Sequence, residues 1–377
     1  MKKVMFVFGT RPEAIKMAPV IAEVQKYPDQ LEPIIVVTGQ HRQMLDQVLK
    51  LFNIKPHYDL KIMKDNQTLA DILTRSLTGL EKVLTKEKPD LLLVQGDTST
   101  AFASALLAYY HKIPVGHVEA GLRTFDKWRP FPEEVNRKLI GVVGDLHFPP
   151  TDTSMKNLLA EKVAKDSIFL TGNTVIDALL FVANRKYQSA ISSAKKIVLV
   201  TMHRRETFGQ QQEAMCAALA RLAKKFSNEI EIIWPVHKNP QVKNLVEKLL
   251  VGTPNIRLIE PLDYEPFVHL MKGSYLIITD SGGVQEEAPS FGIPVLVMRE
   301  KTERPEAIAA GTVKLVGVEE ETIFNEASKL LTGRNEYDKM SKAVNPYGDG
   351  KAAERIVQAI LFYFGLRKTK PEDFKVK

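Results

Sequence analysis

Val4-Met5-Phe6-Val7-Phe8, running at once into Gly9-Thr10-Arg11-Pro12-Glu13-Ala14-Ile15-Lys16, sets the pattern of the whole chain. A short apolar run meets a glycine turn and then a segment with proline in the first turn, where a helix tolerates it best. This is strand, turn and helix. Met1-Lys2-Lys3 ahead of the run mimics the start of a secretory signal, but the apolar stretch is too short for one and reads as the first strand.

The alternation repeats. Strand-like runs at Pro33 to Thr38, Leu91 to Gln95, Pro114 to Val118 and Ile168 to Leu170 are separated by helical stretches at Ala14 to Lys26, Met44 to Phe52, Leu69 to Leu84 and Ala101 to His111. Such alternation predicts a parallel sheet covered on both faces. The pattern restarts at Lys196 to Val200 and continues through Ile230 to Trp234, Ile256 to Ile259, Tyr275 to Thr279 and Pro294 to Met298. With 377 residues, the chain is expected to form two α/β domains with a ligand cleft between them. The boundary is placed at Thr171-Gly172-Asn173, giving domains 1–172 and 173–351, with a helix from Val175 to Tyr187 after it. An apolar helix at Ala352 to Phe364 begins a C-terminal segment, about 352–377, expected to pack back on the first domain.

Composition narrows the classes. Hydrophobic content of 44% and charged content of 26%, with no apolar span long enough for a membrane, describe a chain that folds in water. Cys216 is the one cysteine, which excludes an intrachain disulfide and fits the cytoplasm. The net charge of +7 would suit an anionic ligand, but the lysines are scattered, so solvated surface accounts for most of them and no nucleic-acid site is expected. The eight histidines form no metal-ligand spacing, so no metal is expected, and no serine nucleophile elbow occurs.

Carboxylates mark two strand ends, in Gly96-Asp97-Thr98-Ser99-Thr100 and His117-Val118-Glu119-Ala120-Gly121, and a third pair stands at Pro132-Glu133-Glu134. Clustered carboxylates suggest proton transfer. Asp97 reads equally as a helix N-cap, whereas Glu119, at the end of a strand that should be buried, is harder to explain by structure alone. Glu133 lies in a stiff proline-aromatic stretch that either aims a carboxylate or starts a helix.

Thr279-Asp280-Ser281-Gly282-Gly283 ends a strand and opens a helix, a pattern that cradles phosphate on free backbone N–H groups. Glu286 and Glu287 complement the dipole of that helix, and Glu287 is also placed to accept from ribose hydroxyls. Arg11, Lys16, His203, Arg204, Arg205 and Arg304 follow other strands as candidate phosphate cations. A strand-to-helix turn with surface cations suffices to explain Arg11 and Lys16 taken alone. Ion pairs to Glu206 would do the same for His203 to Arg205.

Taken together, GTRPEAIKMAP, QHRQMLDQ, GDTST, HVEAGLRT, PFPEEVNR, LTGNTVIDAL, HRRE, PVHKNP, TDSGGVQEEAP, TERPEA and NPYGDGKA resemble the non-hydrolysing UDP-N-acetylglucosamine 2-epimerases over residues 3 to 366. The resemblance implies two Rossmann-like domains of GT-B-type architecture with the active site in the interdomain cleft. It implies reversible inversion at C2 of the sugar without a cofactor, in a homodimer. It assigns catalysis to Asp97, Glu119, Glu133 and His203. The UDP-sugar falls to Arg11, Lys16, Leu262, Phe267, Ser281, Gly282, Gly283, Glu287 and Arg304 besides, with Phe267 near uracil. A second, regulatory UDP-N-acetylglucosamine site would use Gln40, Gln43, Gln67, Arg204 and His237, although Asn66 and Thr124-Phe125-Asp126 depart from the family pattern. The rival readings are a glycosyltransferase of the same architecture, a hydrolysing epimerase and a catalytically silent sugar-nucleotide sensor.

Overall fold

The structure is a computed structural model. It describes every residue except 40, 41, 65, 66, 203–208, 238, 303 and 377, and only the backbone at 42, 43 and 241. Two compact units emerge, Met1–Ala178 with Tyr347–Lys375, and Leu179–Pro346 with Val376–Lys377.

The first unit is built on β1 (Lys2–Phe8), β2 (Leu31–Val37), β3 (Tyr58–Asp59), β4 (Leu91–Gln95), β5 (Val115–Val118) and β6 (Leu146–Phe148). They lie in the order β3-β2-β1-β4-β5-β6, and every neighbouring pair is parallel. Helices α1 (Arg11–Val24), α2 (Arg42–Leu51), α3 (Leu69–Glu87), α4 (Ser99–Tyr110) and α5 (Glu133–Val143) connect them, followed by α6 (Asp152–Ala160) and α7 (Thr174–Ala183). β4 and β5 are buried along their whole length, as strands covered on both faces must be, and Leu91 to Val94 accordingly reads as an apolar run. Met5, Val7, Ile34, Val36, Leu92, Val94 and Val115 pack one face against α3 and α4.

Chain order reverses between β1 and β4, and in such sheets the carboxyl ends of the reversing pair form the ligand crevice. The turns after these two strands carry Arg11 and Asp97.

The second unit repeats the plan with β7 (Lys196–Thr201), β8 (Ile230–Pro235), β9 (Ile256–Ile259), β10 (Leu276–Thr279), β11 (Val295–Val297) and β12 (Val313–Leu315). Their order is β12-β11-β10-β7-β8-β9, again parallel throughout. Here the reversal falls between β7 and β10, and the turn after β10 is Asp280-Ser281-Gly282-Gly283. Between strands run α8 (Gln210–Lys225), α9 (Pro240–Leu250), α10 (Tyr264–Lys272), α11 (Gly282–Glu287) and α12 (Pro305–Ala309), and α13 (Glu320–Thr332) and α14 (Arg334–Ser341) follow β12. Cys216 is buried among Met215, Leu219 and Trp234 in this core, and burial pushes its thiol up to about 12, which makes it an inert core filler.

The C-terminal helix α15 (Ala352–Tyr363) packs on α1 in the first unit. Its first backbone N–H groups, those of Ala352 and Ala353, donate to the Asp177 carboxylate at 3.2 and 2.9 Å. Burial nevertheless pushes that carboxyl up to about 7.

Ile168 to Leu170 differs from the strand the sequence suggests, forming a single bridge between His147 and Ile168. Phe169 and Thr171 donate to the carbonyls of His147 and Pro149, but Pro149 and Pro150 have no N–H to return, so the ladder stops.

Candidate functional site

In the first unit the site is built around Glu119, the residue just past β5. Its backbone is left-handed, with φ at 64°, a conformation a non-glycine residue rarely adopts without a reason. The turn brings its carboxylate to donors among the described residues. Lys16 Nζ donates to Oε1 at 2.5 Å, Asn173 Nδ2 to the same oxygen at 3.0 Å and Gln95 Nε2 to Oε2 at 2.5 Å. The pair is secluded, the Lys16 side chain 15% exposed and that of Glu119 6%. Lys16, a candidate phosphate cation in the sequence, is ion-paired with Glu119.

Asp97 follows β4 and Gly96, whose φ of 67° turns the chain out of the strand. It is not the cap of α4; that role falls to Thr98, whose hydroxyl accepts from Ala101 N at 3.0 Å. The Asp97 side chain is thereby left for another task. Arg137 Nη2 donates to its Oδ2 at 2.9 Å and Asn136 Nδ2 to its carbonyl at 2.9 Å. Burial pushes the Asp97 carboxyl up to about 6; Arg137 pulls against that shift, while Glu119 and Glu133 add to it. Asp97 thus lies within reach of the charges of Glu119, past β5, and Glu133, at the start of α5.

The two glutamates at the start of α5 divide their work. Glu134 is buried and accepts from the backbone N–H groups of Thr124 and Phe125, both at 3.0 Å, so it holds a loop. Glu133 is half-buried and is the one that faces Asp97 electrostatically.

His117 braces the same turn from below. Its Nε2–H donates to the Gly96 carbonyl at 2.7 Å, and burial pulls the imidazole down to about 3, so the ring is neutral. Neighbouring His147 is likewise buried and pulled down to about 4.

At α1 the glycine turn does not present its amides to an anion. The N–H groups of Gly9 and Thr10, the donors an anion would need, are taken at 3.0 and 2.8 Å by the buried carboxylate of Glu13. Arg11, half-buried at the first position of the helix, remains the ligand candidate of this turn.

In the second unit, Thr279 ends β10 and its hydroxyl receives the N–H of Ser281 at 2.9 Å, which tightens the turn. Gly282 and Gly283 open α11, and neither has the positive φ for which glycine is usually required. Apart from chain neighbours and their own helix backbone, a β-carbon on Gly282 would meet nothing among the described residues closer than Arg304 Nη2 at 3.9 Å, and one on Gly283 nothing closer than Ser281 Oγ at 4.0 Å. The fold itself does not demand glycine at either place. Gly121 is the contrast: with φ at 84°, it would put a β-carbon 2.2 Å from the carbonyl oxygen of Ser154.

Arg304 is ion-paired with buried Glu286, which gives that glutamate a structural occupation. Glu287 accepts from the Tyr264 hydroxyl at 2.8 Å. Leu262 and Phe267 are half-buried, the latter on α10 one turn beyond Tyr264.

The structure therefore gathers Lys16, Asp97, Glu119 and Glu133 in one unit and Ser281, Gly282, Gly283, Glu287 and Arg304 about α11 in the other. His203, Arg204 and Gln40 lie outside the described residues, and Gln43 is described by backbone alone. Gln67 accepts from the backbone of Lys64, and exposed His237 accepts from that of Asn239. Sequence reasoning missed Gln95, Asn173, Arg137 and Glu13. A polar residue closing a buried strand was the available signal for Gln95, and a charged residue inside a helix-opening turn for Glu13.

A family model described as UDP-N-acetylglucosamine 2-epimerase matches residues 22–361. The chain belongs to that family. A UDP-N-acetylglucosamine 2-epimerase of Bacillus subtilis is 51% identical over 378 residues, covering 100% of this chain and 99% of the relative. Among solved structures, S. aureus MnaA in a co-structure with UDP is 50% identical with a TM-score of 0.91 and full coverage of both chains. The UDP-GlcNAc 2-epimerase of Neisseria meningitidis, bound to UDP-GlcNAc, is 48% identical with a TM-score of 0.87 over 96% of this chain and 100% of that one. No helix among the described residues is long and apolar enough to cross a membrane.

Proposed function

We propose that the chain interconverts UDP-N-acetylglucosamine and UDP-N-acetylmannosamine by inverting C2, without releasing free sugar. The observation that carries the reading is the placing of Asp97 and Glu119 at the carboxyl ends of the neighbouring strands β4 and β5, each carboxylate held by a cation, Arg137 and Lys16. No carbonyl adjoins C2, so its proton is not acidic. Its removal becomes feasible when the anomeric C–O bond breaks in the same process: the C2–H electron pair forms a C1=C2 bond, UDP leaves with the C1–O pair, and a glycal remains. Re-addition of UDP at C1, with a proton delivered to the other face of C2, gives the epimer. Two faces need proton carriers on both sides, which a single carboxylate cannot supply.

In this reading Asp97 exchanges the proton at C2, with Glu119 and Glu133 completing the proton path. The Ser281 to Gly283 turn, Arg304, Arg11 and His203 stabilise the departing diphosphate with fixed charges and dipoles. Glu287 takes the ribose, and Phe267 and Leu262 lie by the uracil. The relatives solved with UDP and with UDP-GlcNAc support the ligand class. The same family reading carries a cytoplasmic homodimer that supplies precursors of cell-surface polysaccharide, with UDP-N-acetylglucosamine also acting as effector.

Incubation with UDP-N-acetylglucosamine in heavy water, followed by NMR, tests the proposal. Deuterium at C2 of both intact UDP-sugars is expected. UDP released together with free N-acetylmannosamine would mean hydrolysis, acceptor-dependent UDP release would mean transfer, and no exchange by folded protein would mean neither.

A further inference from the structure

Glu13 is 1% exposed, and its hydrogen-bond partners among the described residues are donors. Oε2 receives Gly9 N at 3.0 Å, Thr10 N at 2.8 Å and the Thr10 hydroxyl at 2.8 Å, while Oε1 receives the Thr98 hydroxyl at 2.6 Å. Gly9 and Thr10 belong to the turn after β1, and Thr98 to the turn after β4. These are the two strands between which the sheet reverses.

Capping α1 does not by itself explain this arrangement. The N-terminus of α3 has the same capping box, with Asp71 returning to Thr68 N at 2.9 Å, and there the carboxylate stays in solvent. Burying the equivalent group at α1 carries a desolvation cost that the cap alone does not require. What Glu13 has and Asp71 lacks is a bond to a second turn 85 residues away. That turn presents Asp97 immediately before Thr98, and one helical turn beyond Glu13 stands Lys16, the partner of Glu119.

We infer that Glu13 is a positioning residue whose carboxylate fixes the separation between the segment bearing Arg11 and Lys16 and the turn bearing Asp97. The inference rests on the epimerase reading for the reaction it serves. Spacing of this kind matters because proton transfer and bond cleavage must coincide, and a displacement near 1 Å is enough to suppress them.

The test uses the full chain and swaps the polarity of the bridge. Glu13→Gln weakens the acceptor; Thr98→Asp keeps a cap for α4 but sets two carboxylates against each other; the double variant restores a donor facing an acceptor. Each single variant is expected to lower kcat about tenfold or more with KM and UDP affinity within about threefold. The double variant should recover at least about a third of the wild-type rate, a non-additivity that general destabilisation would not produce. Single variants at wild-type rate, or a double variant no faster than the product of the two losses, overturn the inference. Should Glu13→Gln not fold, Thr98→Ser against Thr98→Asp decides: the serine retains kcat and the aspartate loses it, and equal rates overturn the bridge. A readout independent of turnover is the 13C titration of the Asp97 carboxyl, whose midpoint should move in Glu13→Gln and stay fixed in Asp71→Asn. An unmoved midpoint overturns the inference, whereas wild-type protein that exchanges no deuterium overturns only the epimerase reading.

Discussion

Replacing Arg137 by methionine removes the cation that restrains Asp97. The guanidinium Nη2 lies 2.9 Å from Oδ2, with the side chains 10% and 27% exposed, so screening is incomplete. Burial already pushes the carboxyl to about 6 despite Arg137. An arginine in that position typically lowers an aspartate by about 1 to 3 units, so without it the carboxyl should titrate near about 7 to 9. For a midpoint of about 8, the ionised fraction at pH 7 falls from about nine-tenths to about one-tenth. If ionised Asp97 takes the proton, exchange at pH 7 should drop about tenfold and return as the pH approaches about 9. The assay is the rate of deuterium incorporation at C2 at substrate well below KM, which reports the free protein, from about pH 5 to about pH 10. Arg137→Lys keeps the charge and should leave the midpoint nearly in place. Since Arg137 also approaches Glu134 at 3.7 Å, Glu134→Gln controls for disturbance of the neighbouring loop. A lowered rate with an unmoved midpoint would refute the argument, because it would place the effect of Arg137 outside the ionisation of Asp97.

Gly282→Ala should leave stability within about 1 kcal/mol, because the added methyl would make only an ordinary van der Waals contact with Arg304, yet weaken UDP about tenfold or more by calorimetry. Unchanged affinity would remove that turn from the ligand surface. Gly121→Ala should destabilise by about 3 to 5 kcal/mol in urea unfolding, since its methyl would strike the Ser154 carbonyl and its φ is positive; a loss below about 1 kcal/mol would contradict this packing. His117 is pulled to about 3 and His147 to about 4, so each contributes stability that is full above about pH 6.5 and drains as the unfolded chain takes up protons below it. Asp97 and Asp177, pushed up to about 6 and about 7, act with opposite sign as the pH rises from about 4, so the wild-type curve should be nearly flat across that window. The histidine contribution emerges in the difference between His117→Gln and wild type, with a slope of about 1.4 kcal/mol per pH unit between about pH 4 and 6.5; parallel curves would show that His117 is not buried neutral.

Both sheets were legible because their central strands are unbroken apolar runs, from Val4 to Phe8 and Leu276 to Thr279, punctuated by glycine turns at the crevice ends. Short strands such as Tyr58–Asp59 and Leu146–Phe148 were not, since two or three residues carry no period. Asp97 and Glu119 stood out as carboxylates at the ends of buried strands, but the division of labour around them did not. Whether Asp97 or Thr98 caps α4 depends on the φ of Gly96, and which member of Glu133-Glu134 turns inward depends on the phase of α5. Asn173 reaches Glu119 across 54 residues of chain, and Arg137 reaches Asp97 across 40, distances at which local pattern is silent.

The carboxylate buried beneath the first glycine turn also constrains redesign of this half of the protein. Grafting a mononucleotide onto that helix would require deleting Glu13 before any loop was rewritten, because its oxygens already occupy the place of a guest's phosphoryl oxygens. An engineer who changed only the glycine spacing would obtain the sequence signature of a cofactor pocket whose entrance is sealed from within.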